Sequence, residues 1–189
     1  MPLIKAYLER RFMGKEILVS NKSELAEYTK AIHNNLQKSL ENIKSVLDIN
    51  DCTNVFERFK YDKTAIDPLT GNPENLIEVI NQYQTYLVTI KALDYLFERY
   101  PDKSFVARFG NIAGNDIEST DGKIVAECFA QVSYKNNKKL EKDLVKLNSA
   151  ASNSVCYEFF YDKVFTEEVH LSFKSKYPKI NIVKFETLK

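Results

Sequence analysis

The hydrophobic period of this chain changes once, near residue 103, and that change limits what it can fold into. Before it, apolar residues recur at helical three- and four-residue steps. After it, they alternate or run in short blocks. Leu25, Tyr28, Ile32, Leu36, Leu40, Ile43 and Leu47 share one helix face, which predicts a helix over about 23–48. Ser23 is the expected N-cap, with Glu24 and Glu27 set against the positive helix end. Leu76, Ile77, Ile80, Tyr83, Leu87, Ile90, Leu93 and Phe97 form a second stripe and predict a helix over about 73–99. Asn72 is its expected cap and Pro73 its first residue, while Pro101 disfavours helical geometry at Tyr100 and ends it. Residues 50–72 read as irregular, closing in the turn-rich run Asp67-Pro68-Leu69-Thr70-Gly71-Asn72.

Beyond residue 103 the pattern is that of strands. Residues 104–109 form a β-prone run closed by Gly110, and 115–119 a second short strand. Asp121-Gly122 is a favoured hairpin pair. The strand expected over 123–133 puts Ile124, Ala126, Cys128, Ala130 and Val132 on one face, and Val125, Glu127, Phe129, Gln131 and Ser133 on the other. Leu140, Leu144 and Leu147 predict a helix over about 136–149 that carries Lys138, Lys139, Lys142 and Lys146. A strand over 154–161, a helix over 166–176 capped by Thr166, and a strand over 179–187 complete the chain. The expected fold is α/β: a helical N-terminal region, 1–72, before a core, 73–189, of order α-β-β-β-α-β-α-β with a mixed central sheet flanked by helices.

Composition excludes several classes. With 12 Phe, 11 Tyr and 44% hydrophobic residues, the chain has the apolar area to offset its conformational entropy, so disorder is not its main state. Five Gly and five Pro exclude a collagen-like or linker chain. Cys52, Cys128 and Cys156 lie far apart, and neither His33 nor His170 lies near one, so no structural zinc site is expected. Residues 1–20, with Arg10 and Arg11 in the middle, hold no apolar run fit for a signal peptide. No run approaches the roughly 20 apolar residues of a membrane span. A cytoplasmic setting without a membrane partner is the expectation.

The formal net charge of +1 argues against a uniformly basic nucleic-acid binder, but it hides a segregation. Residues 1–60 carry +2, 61–130 carry −5 and 131–189 carry +4. The acidic stretch contains Gly114-Asn115-Asp116-Ile117-Glu118 and, across the hairpin turn, Glu127 inside an apolar strand. Adjacent antiparallel strands can bring Asp116 and Glu127 together, and two carboxylates with a free carbonyl form a hard oxygen site suited to Mg²⁺. A charge at Glu127, between Ala126 and Cys128, is costly to bury without a partner. That partner is either a metal ion or a structural ion pair with Arg108 or a lysine, and Asp116 is otherwise a turn residue.

The element order and these acids together resemble the PD-(D/E)xK nucleases, the superfamily of many type II restriction endonucleases. The resemblance covers residues 73–189, with Asp116 in the first acidic position and Glu127 in the second. It implies a restriction-endonuclease-like core, Mg²⁺ held by the two carboxylates, and hydrolysis of DNA phosphodiester bonds. It implies Glu118 as an alternate ligand and a further acid on the preceding helix, Glu98 or Glu78, with Glu98 nearer the strand in sequence. The family's lysine, two residues after the second acid, is here Phe129. Either Lys139, Lys138 or Lys142 takes its role, with Lys139 first, or Asp121-Gly122-Lys123 supplies the frame, or catalysis is absent. Arg108, Gln131, Lys138, Lys142 and Lys146 are the candidates for nucleic-acid contact. A homodimer is also implied, with the helix over 23–48 either an interface or packed on its own core. The alternative function is a non-catalytic protein of this fold that binds DNA or a protein partner without cleaving; beyond it lies an α/β protein in which the motif is accidental.

Overall fold

The computed structural model describes residues 15–47, 51–131 and 133–188. Arg10 and Arg11, Asp48 at the expected end of the first helix, and Val132 lie outside the described residues. The helices are α1 (Lys22–Leu47), α2 (Cys52–Tyr61), α3 (Leu76–Arg99), α4 (Lys139–Ala150) and α5 (Glu167–Lys176). The strands are β1 (Glu16–Val19), β2 (Ala65–Ile66), β3 (Pro73–Glu74), β4 (Phe105–Arg108), β5 (Ile117–Ser119), β6 (Ile124–Ala130), β7 (Val155–Tyr161) and β8 (Ile180–Lys184). Six of them form one mixed sheet in the order β1-β4-β5-β6-β7-β8, and β2 pairs with β3 in a separate ribbon.

The sheet changes character at β6. Pairings from β1 to β6 are antiparallel, whereas β6, β7 and β8 run parallel. Parallel neighbours need a crossover long enough to pass over the sheet, and α4 and α5 are those crossovers. The central strand β6 is buried at every position but Ala130, as its apolar run requires.

Alternation divides the side chains between two cores. Ile17, Val19, Phe105, Ala107, Ile117, Ala126, Cys128, Tyr157 and Phe159 pack under α1 and α3. Val125, Phe129, Cys156, Phe160, Ile180 and Ile182 pack with Leu140, Leu144 and Leu147 of α4, and Val169 and Phe173 of α5 close that layer. The result is a three-layer α/β/α arrangement. Tyr86 meets Phe109 edge-on at 4.9 Å and Phe97 meets Phe105 at 5.2 Å, so α3 runs antiparallel to β4. No helix among the described residues is long and apolar enough to cross a membrane.

The local expectations need four corrections. The first helix begins at Lys22, and Asn21, not Ser23, caps it by accepting the Glu24 N–H at 2.9 Å. Residues 50–72 are not irregular throughout, because Asp51 accepts from Thr53 and Asn54 N–H groups and opens α2. That helix buries only Val55 fully, so it shows no stripe in the sequence. The helix expected from Pro73 begins at Leu76 under an Asn75 cap, and Pro73–Glu74 pairs with Ala65–Ile66 instead. Finally, the N-terminal region is not wholly helical, since β1 extends the sheet along β4. The α1 stripe lies on the chain's own core through Leu25, Tyr28 and Ile32.

The 67–72 turn is tied to β1 through one buried carboxylate. Asp67 Oδ1 accepts from the Leu69 and Thr70 N–H groups, and its Oδ2 lies 2.8 Å from Lys15 Nζ. Burial works against the Asp67 charge, but Lys15 and these donors outweigh it and hold the carboxyl below its ordinary value. A lowered carboxyl gives stability above its unfolded value that is lost as the pH falls. Asp67→Ala is expected to cost about 3 kcal/mol in urea unfolding at neutral pH, with the deficit shrinking towards pH 3. A loss under about 1 kcal/mol would refute the anchoring role.

Candidate functional site

The α4 face of the sheet carries charge where packing alone would call for apolar residues. On β6, Glu127 stands between the core residues Val125 and Phe129; on β7, Glu158 stands between Cys156 and Phe160. The two glutamates are direct partners in the parallel register. On the other side of β6, Ile117 pairs with Ala126, so Asp116 enters β5 opposite Glu127. Asp116, Glu127 and Glu158 thus form a row across three adjacent strands.

Helix α4 lies over this row. Its Leu140, Leu144 and Leu147 are fully buried, while Lys139, Asp143 and Lys146 follow one position earlier at each step, on a neighbouring stripe. Lys139 Nζ binds Asp143 at 2.6 and 2.8 Å. Lys146 Nζ lies 2.5 Å from Glu127 Oε1 and donates to the Gly114 carbonyl at 2.6 Å. Asp116 Oδ2 accepts the Cys128 N–H at 2.8 Å, and its carboxyl is within hydrogen-bonding reach of Glu127.

The electrostatics follow from crowding out of water. Glu127 is pushed up to about 7, first by burial and then by the Asp116 charge, against the pull of Lys146. Burial also raises Asp116 and Asp143, and raises fully buried Glu158 well above its ordinary value. Neither carboxyl oxygen of Glu158 has a hydrogen-bond partner. Burial lowers Lys139, but Asp143, Asp116 and Glu127 outweigh it and keep it firmly protonated. Asp116 and Glu127 are close enough for the charge of Asp116 to raise the Glu127 carboxyl.

The row opens at one end onto a cleft of about 290 Å³. The N-terminal half of α3 supplies Asn81, Gln82 and Thr85 to it, the end of β4 supplies Arg108, and Asp116, Gln131 and Lys139 complete the wall. The cleft lies beyond the carboxyl end of β6, where α/β sheets bind ligands. Gln131 Oε1 is buried there without a hydrogen-bond partner.

Other residues singled out by sequence lie elsewhere. Glu98 pairs with Lys22 at 3.3 Å on the exposed surface, away from the cleft. Because α3 is antiparallel to β4, the helix end nearest β4 in sequence lies at the wrong end of the sheet. Glu78, hydrogen-bonded to the cleft residue Gln82 at 3.1 Å, is the acid of α3 nearer the site. Glu118 binds Arg108 at 3.3 Å, and that guanidinium also holds Glu16 at 2.7 Å and the Asn115 carbonyl at 3.1 Å. Gly114 packs against it: at φ +117° a Cβ would come within 3.2 Å of the guanidinium, so only glycine fits. The helix expected from residue 136 begins at Lys139; Lys138 precedes it in a left-handed conformation with no side-chain cap, and both Lys138 and Lys142 are exposed. Phe129, in the motif lysine position, is buried and stacked on Phe160 at 5.4 Å. Asp121 and Lys123 belong to the hairpin turn, where Asp121 accepts from Ser119.

Sequence reasoning overlooked Asp143 and Glu158. Glu158 carried the same signal as Glu127, an acid in mid-strand among aromatic residues, and Asp143 falls beside the leucine stripe of α4. Among the described residues, no group of three or more His, Cys, Asp or Glu side chains is gathered as a metal-holding set. Two carboxylates and a carbonyl are nevertheless hard oxygen donors, the chemistry of an ion that keeps several waters. The Lys146 ammonium between Glu127 and Gly114 shows that these oxygens accept a cation.

No protein-family model matches the chain, and searches of curated proteins and of solved structures return no significant match.

The raised Glu127 carboxyl sets a pH dependence. The folded state holds that proton from the ordinary value of 4.5 up to about 7, so its stabilisation is complete below 4.5 and lost as the pH rises through 7. The thermal midpoint of the wild type is expected to fall between pH 5 and 8, and Glu127→Gln to fall less over the same range. Parallel curves in scanning calorimetry would refute the raised value.

Proposed function

We propose that this protein is a Mg²⁺-dependent endonuclease of the PD-(D/E)xK kind, cutting DNA phosphodiester bonds as type II restriction enzymes do. The observation that carries the reading is the meeting of Asp116 and Glu127 from antiparallel neighbours, with Asp116 and Lys139 on the wall of a cleft. The contiguous unit α3-β4-β5-β6-α4-β7 supports a restriction-endonuclease-like core, because it carries the acids at the start of its second strand and within its third.

Asp116 and Glu127 would hold the ion. When bound, Mg²⁺ polarises a phosphoryl oxygen and lowers the pKa of water. Lys139, held charged by Asp143 on the cleft wall, presents an ammonium to a phosphate, the place the family gives to the lysine that Phe129 replaces. Lys138 and Lys142 add exposed cations that attract the DNA backbone without reading sequence, beside the uncapped first turn of α4. Asn81, Gln82 and Gln131 offer amide donors and acceptors to the same cleft. Arg108 is occupied by Glu16 and Glu118, so it shapes the cleft wall before it contacts a phosphate.

The rival is a protein of this fold that binds DNA or a protein partner without cutting. It is favoured by the buried Phe129 and by the Lys146–Glu127 ion pair. Supercoiled plasmid with Mg²⁺ separates the two readings. Wild type is expected to nick it, EDTA to stop the reaction, Asp116→Ala/Glu127→Ala to lower the rate by at least about 100-fold, and Lys139→Met by about 10–100-fold. Equal nicking by wild type and the double variant, or none by either, refutes the nuclease. Salt-sensitive DNA binding in EDTA without cleavage favours the rival.

A further inference from the structure

We propose that Lys146 is a displaceable internal cation, whose ammonium fills the oxygen seat between Glu127 and Gly114 that a divalent ion takes on binding. The inference rests on the metal-dependent reading of the acid pair and assigns a function to a residue outside that pair.

The seat is specific. Lys146 Nζ is 2.5 Å from Glu127 Oε1 and 2.6 Å from the Gly114 carbonyl oxygen, a carboxylate and a carbonyl facing one cation. Gly114, at φ +117°, leaves no room for a Cβ beside the Arg108 guanidinium, which holds the neighbouring Asn115 carbonyl at 3.1 Å. Of the pair, lysine is the partner able to leave: its side chain is 44% exposed against 3% for Glu127. Its flexible stem can carry the ammonium into water, where an ammonium is strongly hydrated. Lys139 is different, since both oxygens of Asp143, one turn along the same helix, hold it clear of the seat.

A second observation is that, with Lys146 in place, a buried carboxyl beside the seat has no partner. Glu158 is fully buried beside Glu127 in the strand register, and neither of its oxygens is partnered. Among the described residues, Lys139 and Lys146 are the cations that act on Asp116, Glu127, Asp143 and Glu158. A divalent ion brings twice the charge of the ammonium to the Glu127 and Gly114 oxygens, and that difference gives the exchange its driving force. Lys146 therefore partners Glu127 in the metal-free protein and competes with the ion for it.

The test uses the full chain and Mn²⁺ alone, with free Mn²⁺ read by electron paramagnetic resonance. Wild type is expected to bind Mn²⁺, Asp116→Asn/Glu127→Gln to lose it, and Lys146→Met to bind about tenfold more tightly. Lys139→Met controls for the general field of a lost positive charge and is expected to tighten binding by less than about threefold. Equal affinity in wild type and Lys146→Met, or equal tightening by the two lysine variants, overturns the inference and leaves the acid pair as a metal site. No binding by wild type or Lys146→Met overturns both the inference and the metal-dependent reading. Should Lys146→Met fail to fold, acetylation of Lys146 in the wild type, followed by mass spectrometry, decides the matter. Its rate rises on adding Mn²⁺ if the ammonium is expelled; an unchanged or slower rate overturns the inference.

Discussion

The structure depends on how a row of carboxyls is kept under a helix. Asp116 just before β5, Glu127 on β6 and Glu158 on β7 stand side by side, and Asp143 joins them from α4. Two unit charges 4 Å apart repel by about 4 kcal/mol at an effective dielectric constant near 20, so the row cannot ionise fully by itself. Two answers are built in. The carboxyls hold protons to unusually high pH, and α4 sets Lys139 and Lys146 one turn either side of Asp143. Helix α4 consequently carries two adjacent stripes: leucines that bury against Phe129, Cys156 and Phe160, and an ionic line that meets the acids.

Topology creates the row and its cover together. The antiparallel hairpin from β5 to β6 brings Asp116 opposite Glu127, and the parallel pairing of β6 with β7 brings Glu158 into register. That parallel pairing is possible only with a crossover, and the crossover is α4 itself. The helix that must pass over this face therefore also delivers its cations. The change from antiparallel to parallel pairing at β6 places the site beside the central strand, which both cores cover.

Periodicity made the layers readable and left the long-range geometry hidden. Strong stripes such as Leu25–Tyr28–Ile32 and Leu140–Leu144–Leu147 mark helices whatever they pack on. Helix α2 escaped because it buries little, and β1 because a four-residue edge strand is defined by its partner β4. The Asp116–Glu127 pairing was readable, since a hairpin turn at Asp121-Gly122 relates the two positions by local register. Glu158 was not paired with Glu127, because no local rule joins strands separated by a helix. Sequence distance misled at Glu98: its nearness to β4 along the chain holds at one end of the sheet, while Asp116 lies at the other.

Phe129 shows how the layer over β6 limits where an amine can come from. Positions 127 and 129 point to the same face, and α4 covers that face, so a lysine at 129 would lie in the space where Phe129 stacks on Phe160. Burying an ammonium there costs several kcal/mol without a second acid beside it. Lys139 and Lys146 avoid that cost: their backbones belong to α4, their stems run along its flank, and their heads reach the acids from outside the core. The same arrangement joins the oppositely charged stretches of the chain. Glu127 comes from the acidic stretch 61–130 and Lys146 from the basic stretch 131–189, so the pair lies apart in the sequence and together in the fold.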